Sequence, residues 1–305
     1  MKTYLMCEPT YYEVNYVINP WMAANIGRVN QDLASRQWQI LHDTLQKRAN
    51  IKLIKPVPGL PDMVFTANAG LIKPADMTIS STQKMKLVTP PSPSLSLPLP
   101  HWEREQTNRS ANLTLHEVII STFRHVERQG ESQHYKKFFA ENGYQLKTLE
   151  PGIIFEGAGD ALFDAYGELW LGSGPRSDST AFDEIARALK VQINALKLVD
   201  PRWYHLDTAF CPLNNGYAIA YKKAFSSDSA NEIQNKLGDK VIWVSDEDAS
   251  NFACNAICLD HEIILYRASS DLKANLKRYN FSVIEIDVSE FMKSGGSCKC
   301  MTLEI

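Results

Sequence analysis

IIFEGAGDALF, from Ile153 to Phe163, poses the fold question: an apolar run delivers Glu156 and Asp160 on small residues, then resumes as an apolar run. Four other segments repeat that plan: MVFTANAGLI from Met63, WYHLDTAFCPL from Trp203, NFACNAICLDHEIIL from Asn251 and SGGSCKCMTLEI from Ser294. From Ile153 onward the segments begin 50, 48 and 43 residues apart. The first gap, 90 residues, returns to about 45 to 50 once an atypical stretch of roughly 40 residues is set aside, a period that suggests a radial or stacked repeat. In a ring, Asn68, Glu156, Asp160, His205, Asp207 and a terminal cysteine meet at the centre.

Between these segments the chain alternates short apolar strands with about one helix per unit. NPWM, Asn19 to Met22, precedes an amphipathic pattern that predicts a helix over 24–47, followed by a strand in IKLIKPV and the turn signal PGLPD. Helices are also expected over 133–141, within PRSDSTAFDEIARALK and in SDSANEIQNKL, with strands in YQLKTLE, ELWLGSG and VIWVS. This is an α/β pattern, and at this length one large domain over 1–305 is as readily read as two. Residues 72–118 break it: five prolines fall between Pro90 and Pro100, which marks an exposed Pro/Ser-rich insert. Its two N-x-S/T matches, at Asn108 and Asn112, read as unglycosylated because the N-terminus lacks the apolar core of a secretory signal.

Composition narrows the function. With 305 residues, 44% hydrophobic and 22% charged, there is ample material for a packed enzyme. A net charge of -3 argues against nucleic acid or an anionic membrane as partner, and no run is long enough to span a bilayer. A small-molecule ligand and a cytoplasmic location are expected, and a homo-oligomer is compatible with both. Six cysteines without a signal peptide read as reduced thiols.

His205 and Asp207 are separated by one residue in an apolar run, so in a strand both side chains would face one ligand. Glu156 and Asp160 bracket Gly157, Ala158 and Gly159, small enough for a sharp turn that presents both carboxylates on one side. Such acids repel one another unless a cation or proton joins them, which a positively charged substrate would supply. Each pair alone is more readily read as turn caps or surface ion pairs. Cys298 and Cys300 follow two glycines that allow close approach to a ligand, and a thiolate there would be nucleophilic. The spacing of Cys254, Cys258, Cys298 and Cys300 is not that of structural zinc, and no metal or cofactor is expected. Cys7, Cys211, Cys254 and Cys258 read as buried, inert thiols.

Taken in order, FTAN, FRHVERQGE, FEGAGDALF, GPRSD, HLD, DASNFACNA and SGGSCKCMTLEI resemble the guanidino-group-modifying superfamily, which comprises arginine deiminases, dimethylarginine dimethylaminohydrolases and amidinotransferases. The resemblance covers the chain except the insert. It implies a five-bladed α/β propeller (pentein) of ββαβ repeats with the active site on its axis. It further implies Cys300 as nucleophile, His205 as general acid/base, and Glu156, Asp160 and Asp207 as acids that hold a guanidinium or support the histidine. Arg128 and Arg176 would take the substrate carboxylate. Asn19 would bind the amino-acid end or support Asn68, unless it caps the helix after NPWM. Cys298 stands where relatives carry an apolar residue, and its role is open.

Deiminases carry aspartate where this chain has Asn68, and FTAN with INPWM most resembles arginine dihydrolases, which convert arginine to ornithine, ammonia and carbon dioxide. Two unit charges about 4 Å apart attract by roughly 4 kcal/mol gross at an effective dielectric of 20, so an amide binds a guanidinium less strongly than a carboxylate does. After one hydrolysis, however, a buried carboxylate would face neutral citrulline unpaired. An amide can accept from an N–H or donate to a ureido oxygen, so it tolerates both.

Overall fold

The computed structural model describes residues 1–73 and 116–305. Most of the Pro/Ser-rich stretch, with Asn108 and Asn112, lies outside the described residues. Its edges are strand: Ile72 pairs with Val118 in an antiparallel ladder, so the insert joins two neighbouring strands.

The described strands form five three-stranded sheets, each with the same connectivity. In the sheet of β3 (Gly70–Ile72), β4 (Glu117–Ile120) and β5 (Gln145–Lys147), the central β4 runs antiparallel to β3 and parallel to β5. A parallel neighbour requires a crossover, which a helix, Glu131–Glu141, supplies. The same ββαβ order recurs in β6 (Ala161–Phe163), β7 (Leu169–Ser173) and β8 (Ile193–Lys197). It recurs in β9 (Phe210–Pro212), β10 (Ala218–Ala220) and β11 (Val241–Trp243), and in β12 (Ile257–Leu259), β13 (Glu262–Leu265) and β14 (Ser282–Glu285). The remaining sheet takes its first strand from the far end of the chain. There β15 (Leu303–Glu304) pairs antiparallel with β1 (Thr3–Cys7), and β1 pairs parallel with β2 (Asn50–Ile54) across the helix Gln31–Gln46.

The crossover helices follow from spacing and caps. Ala34, Gln37, Trp38, Leu41 and Leu45 form the buried stripe of Gln31–Gln46, and the Asn30 side chain accepts from Leu33 N at its start. Ser226 and Ser269 cap Ser227–Leu237 and Ser270–Arg278 in the same way. Fully buried residues such as Ile233 and Leu276 join these helices to the sheets, each contributing about 1.5–3 kcal/mol by burial. The first helix starts seven residues later than its periodicity suggests, because Gly27 takes φ +66° and Asn30 supplies the cap.

A buried turn precedes the first strand of each sheet. Three are 3-10 turns: Thr66–Ala69 before β3, Gly157–Gly159 before β6 and Leu206–Thr208 before β9. Turns around Asn255 and Cys300 lead into β12 and β15. Hydrogen bonds tie these turns into a closed cycle. Asn68 Nδ2 donates to Glu156 O at 2.9 Å, and Leu206 N to Asp160 Oδ1 at 2.9 Å. Asn255 Nδ2 donates to Asp207 O at 3.1 Å, Cys300 N to Asn255 Oδ1 at 3.0 Å, and Ala67 N to Cys300 O at 3.0 Å. Among the described residues no helix is long and apolar enough to cross a membrane.

Candidate active site

The five turns bring the predicted residues together in two buried groups. In the first, Glu156 Oε2 lies 2.8 Å from His205 Nε2 and accepts from Arg176 Nη1 at 3.0 Å. Its other oxygen accepts from Arg124 N at 3.1 Å. Burial raises the Glu156 pKa, but the Arg176 guanidinium and the His205 contact outweigh it and hold the group well below the usual carboxylate range. Asp160 is fixed by the Ser177 hydroxyl at 2.6 Å and by Leu206 N, and sits 3.8 Å from His205. Burial lifts it to about 6, against the pull of His205.

Glycine makes this group possible. Gly157 takes φ +64°, and a side chain on Gly159 would stand 2.4 Å from Asn68 Nδ2 and 3.2 Å from the His205 ring.

In the second group, Cys300 Sγ lies 3.8 and 3.9 Å from the two Asp207 oxygens and 3.1 Å from Asn255 Nδ2. Burial raises Asp207 to about 7, with Lys299 opposing. Burial, with the facing Asp207 carboxylate, also pushes the Cys300 thiol up. The expectation that His205 and Asp207 lie on one face of a strand is corrected here. Thr208 donates from both its N–H and its hydroxyl to His205 O, which closes a 3-10 turn, and β9 starts only at Phe210. The histidine therefore faces Glu156 while the aspartate faces Cys300.

Two buried arginines adjoin these groups. Arg128 forms a two-pronged pair with Glu131 at 2.8 Å through both Nε and Nη2, and its Nη1 donates to Asn68 Oδ1 at 3.0 Å. Arg176 stacks on the Tyr204 ring at 4.7 Å, donates to Ile18 O, and keeps a buried Nε with no partner among the described residues. Among the described residues Asn19 hydrogen-bonds neither Asn68 nor the start of the first helix, where Asn30 is the cap. It donates to Ser294 O and accepts from Trp21 N, tying the NPWM loop to the turn that carries Cys300. All six cysteines are free; Cys298 is fully buried, while Cys258 is partly exposed rather than buried as expected.

Several site neighbours escaped the sequence reading. Asp62, in the turn signal before the first segment, is buried beside Arg128 with its Oδ1 unpartnered among the described residues, and its pKa is raised by burial despite that guanidinium. Ser177 and Glu131 lie inside the quoted motifs GPRSD and FRHVERQGE, and Asn255 inside DASNFACNA. Their signal was position within the repeat. A cavity of about 110 Å³ is lined by Asp207 and Lys299 with Cys211, Cys254 and Cys258. The larger cavity, about 820 Å³, is lined by none of the predicted site residues.

A family model described as "N,N dimethylarginine dimethylhydrolase, eukaryotic" matches residues 107–305. The bifunctional arginine dihydrolase/ornithine cyclodeaminase ArgZ of Synechocystis sp. is 40% identical over 303 residues, 99% of this chain but 37% of that protein. The chain thus spans little more than a third of that relative. The N(G),N(G)-dimethylarginine dimethylaminohydrolase of Mycobacterium tuberculosis is 34% identical over 307 residues, covering 100% of this chain and 86% of its own length. Among solved structures, the substrate-bound N-terminal domain of a mutant ArgZ, a cyanobacterial arginine dihydrolase, superposes with a TM-score of 0.85 at 40% identity, covering 100% of this chain and 98% of that one.

Proposed function

Because the chain belongs to the N,N-dimethylarginine dimethylhydrolase family, we propose that it hydrolyses the guanidino group of arginine and that its full reaction is that of an arginine dihydrolase, yielding ornithine, two ammonia molecules and carbon dioxide. The observation that carries the second hydrolysis is Asn68, a buried neutral amide held by Arg128 and by Glu156 O where deiminases carry a carboxylate. The likeness to ArgZ supports the same reading. A five-bladed propeller, formed by residues 1–305 as one domain, accounts for five ββαβ sheets whose turns close a hydrogen-bonded cycle.

In this mechanism Cys300 attacks the guanidino carbon as a thiolate while His205, oriented by Glu156, protonates the departing nitrogen, and the first ammonia leaves. Water, deprotonated by the same histidine, adds to the thiouronium carbon, and the C–S bond breaks to give bound citrulline. Cys300 then attacks the ureido carbon and the second ammonia leaves. Water cleaves the resulting thiocarbamate to a carbamate, which loses carbon dioxide to give ornithine. Asp160 and Asp207 hold the planar group through charge-assisted hydrogen bonds. The bound cation also favours the anionic sulfur that burial and Asp207 oppose in the empty site. Each arginine keeps an N–H for the substrate carboxylate: a second hydrogen on Arg128 Nη1, and Nε on Arg176. Asn19 steadies the loop beside the nucleophile.

The test is to give the protein arginine, citrulline and dimethylarginine separately and count products. Two ammonia per ornithine from arginine supports the dihydrolase. Citrulline without ornithine would reduce the activity to a single hydrolysis. The family model and the mycobacterial relative favour a second reading, a dimethylarginine dimethylaminohydrolase, for which dimethylamine and citrulline from dimethylarginine would be the products.

A further inference from the structure

No cationic side chain donates a hydrogen bond to Cys300 among the described residues. Apart from its own turn, the sulfur faces the Asp207 carboxylate at 3.8 Å and the Asn255 amide at 3.1 Å. Asn255 is fully buried, and its orientation is determined by its partners. Its Oδ1 accepts from Cys300 N at 3.0 Å, and its Nδ2 donates to Asp207 O at 3.1 Å. A flipped amide would set oxygen against the Asp207 carbonyl and NH2 against the Cys300 N–H, losing both bonds. The unflipped amide has one N–H left, and that N–H meets the sulfur.

We propose that Asn255 is a catalytic residue whose remaining amide N–H stabilises the Cys300 sulfur anion against the neighbouring Asp207 carboxylate. This rests on the reading of Cys300 as the nucleophile. When the S–H bond breaks, the proton passes to water in the empty site, or to His205 during turnover, and the sulfur keeps the electron pair. A hydrogen bond to the charged form favours that form, and charge-assisted bonds are about twice as strong as neutral ones. The same side chain holds the Cys300 backbone to the Asp207 turn, so a purely structural role must be separated from an electrostatic one.

Asn255→Asp makes that separation. It keeps the shape and an oxygen to accept from Cys300 N, and, like Asn255→Ala, loses the amide that donates to Asp207 O and to the sulfur, but it alone adds negative charge there. Full-length protein is labelled with iodoacetamide from pH 6 to 10, and modification of the C-terminal peptide bearing Cys300 is followed by mass spectrometry. Asn255→Ala is expected to slow labelling at pH 8 about tenfold, equivalent to about one pH unit, and Asn255→Asp to slow it more. Arginine affinity, compared in Cys300→Ser with and without Asn255→Ala, should change little. Wild-type labelling in Asn255→Asp would overturn the proposal, as would an effect of Asn255→Ala larger than that of Asn255→Asp. If Asn255→Ala does not fold, the isosteric Asn255→Asp alone decides. Full arginine turnover by Cys300→Ser would instead sink the nucleophile assignment, independently of the labelling.

Discussion

The two halves of the site treat buried carboxylates in opposite ways. Glu156 meets the Arg176 guanidinium and the His205 ring, and its pKa falls despite complete burial. Asp207 is just as buried but meets a thiol and a distant lysine, and its pKa rises to about 7. One half is electrostatically complete before substrate arrives. The other is short of positive charge, which a guanidinium would bring. Pairing stabilises the fold and orients the histidine, whereas the unpaired side costs stability in the empty protein that a bound cation would return.

The sharpest way to break this contrast is to remove the paired acid. Glu156→Gln should lower kcat about 10²- to 10⁴-fold, the range of a misplaced general acid/base. It should also cost about 3–5 kcal/mol in urea unfolding, because Arg176 would be left buried without its counter-charge. A stability loss with unchanged kcat would make Glu156 a structural anchor alone.

The unpaired side should behave conversely. Asp207→Asn is expected to weaken arginine binding about 10- to 100-fold, a screened remnant of a gross attraction of roughly 4 kcal/mol. Its effect on the empty protein has the opposite sign. Folding raises the Asp207 pKa to about 7 from an unfolded value of about 3.9. The folded state therefore holds its proton more tightly, and stability falls as pH climbs from about 4 to about 7. The asparagine variant lacks that loss, so its melting temperature should gain on wild type between about pH 4 and about pH 7. A constant difference across that range would show that Asp207 is paired after all.

Much of this contrast was legible in the sequence, and the limit is instructive. The five cargo-bearing segments correspond to the five buried turns, because small residues and one or two polar groups between apolar strands leave few other places for such side chains. The partner of each group was not legible. His205 and Asp207 diverge because Thr208 closes a turn locally, which strand alternation cannot foresee. Glu131, three residues from Arg128, becomes the counter-ion of that arginine only through its burial. Asn255 carries no charge, so only its position within the fourth repeat segment marked it. Which thiols and acids touch depends on hydrogen bonds between turns from distant parts of the chain, and those are tertiary facts.

The finest adjustment to the comparison concerns Lys299, the cation that opposes the upward shifts of both Asp207 and Cys300. It is partly exposed and its Nζ reaches Thr302 O at 3.4 Å, so solvent screens its effect and it cannot replace a buried partner. Lys299→Ala should therefore raise both groups only slightly. The expected result is a few-fold loss of kcat/KM for arginine, with the alkaline-rising limb of the pH profile displaced upward by less than about one unit, roughly 1.4 kcal/mol at most. Because the interaction crosses screened space, the difference from wild type should shrink as salt rises from 0.01 to 1 M and the screening length falls from about 30 Å to about 3 Å. A loss as large as that of Glu156→Gln, or one insensitive to salt, would mean that Asp207 has a true ion-pair partner in Lys299. The two halves of the site would then be electrostatically alike.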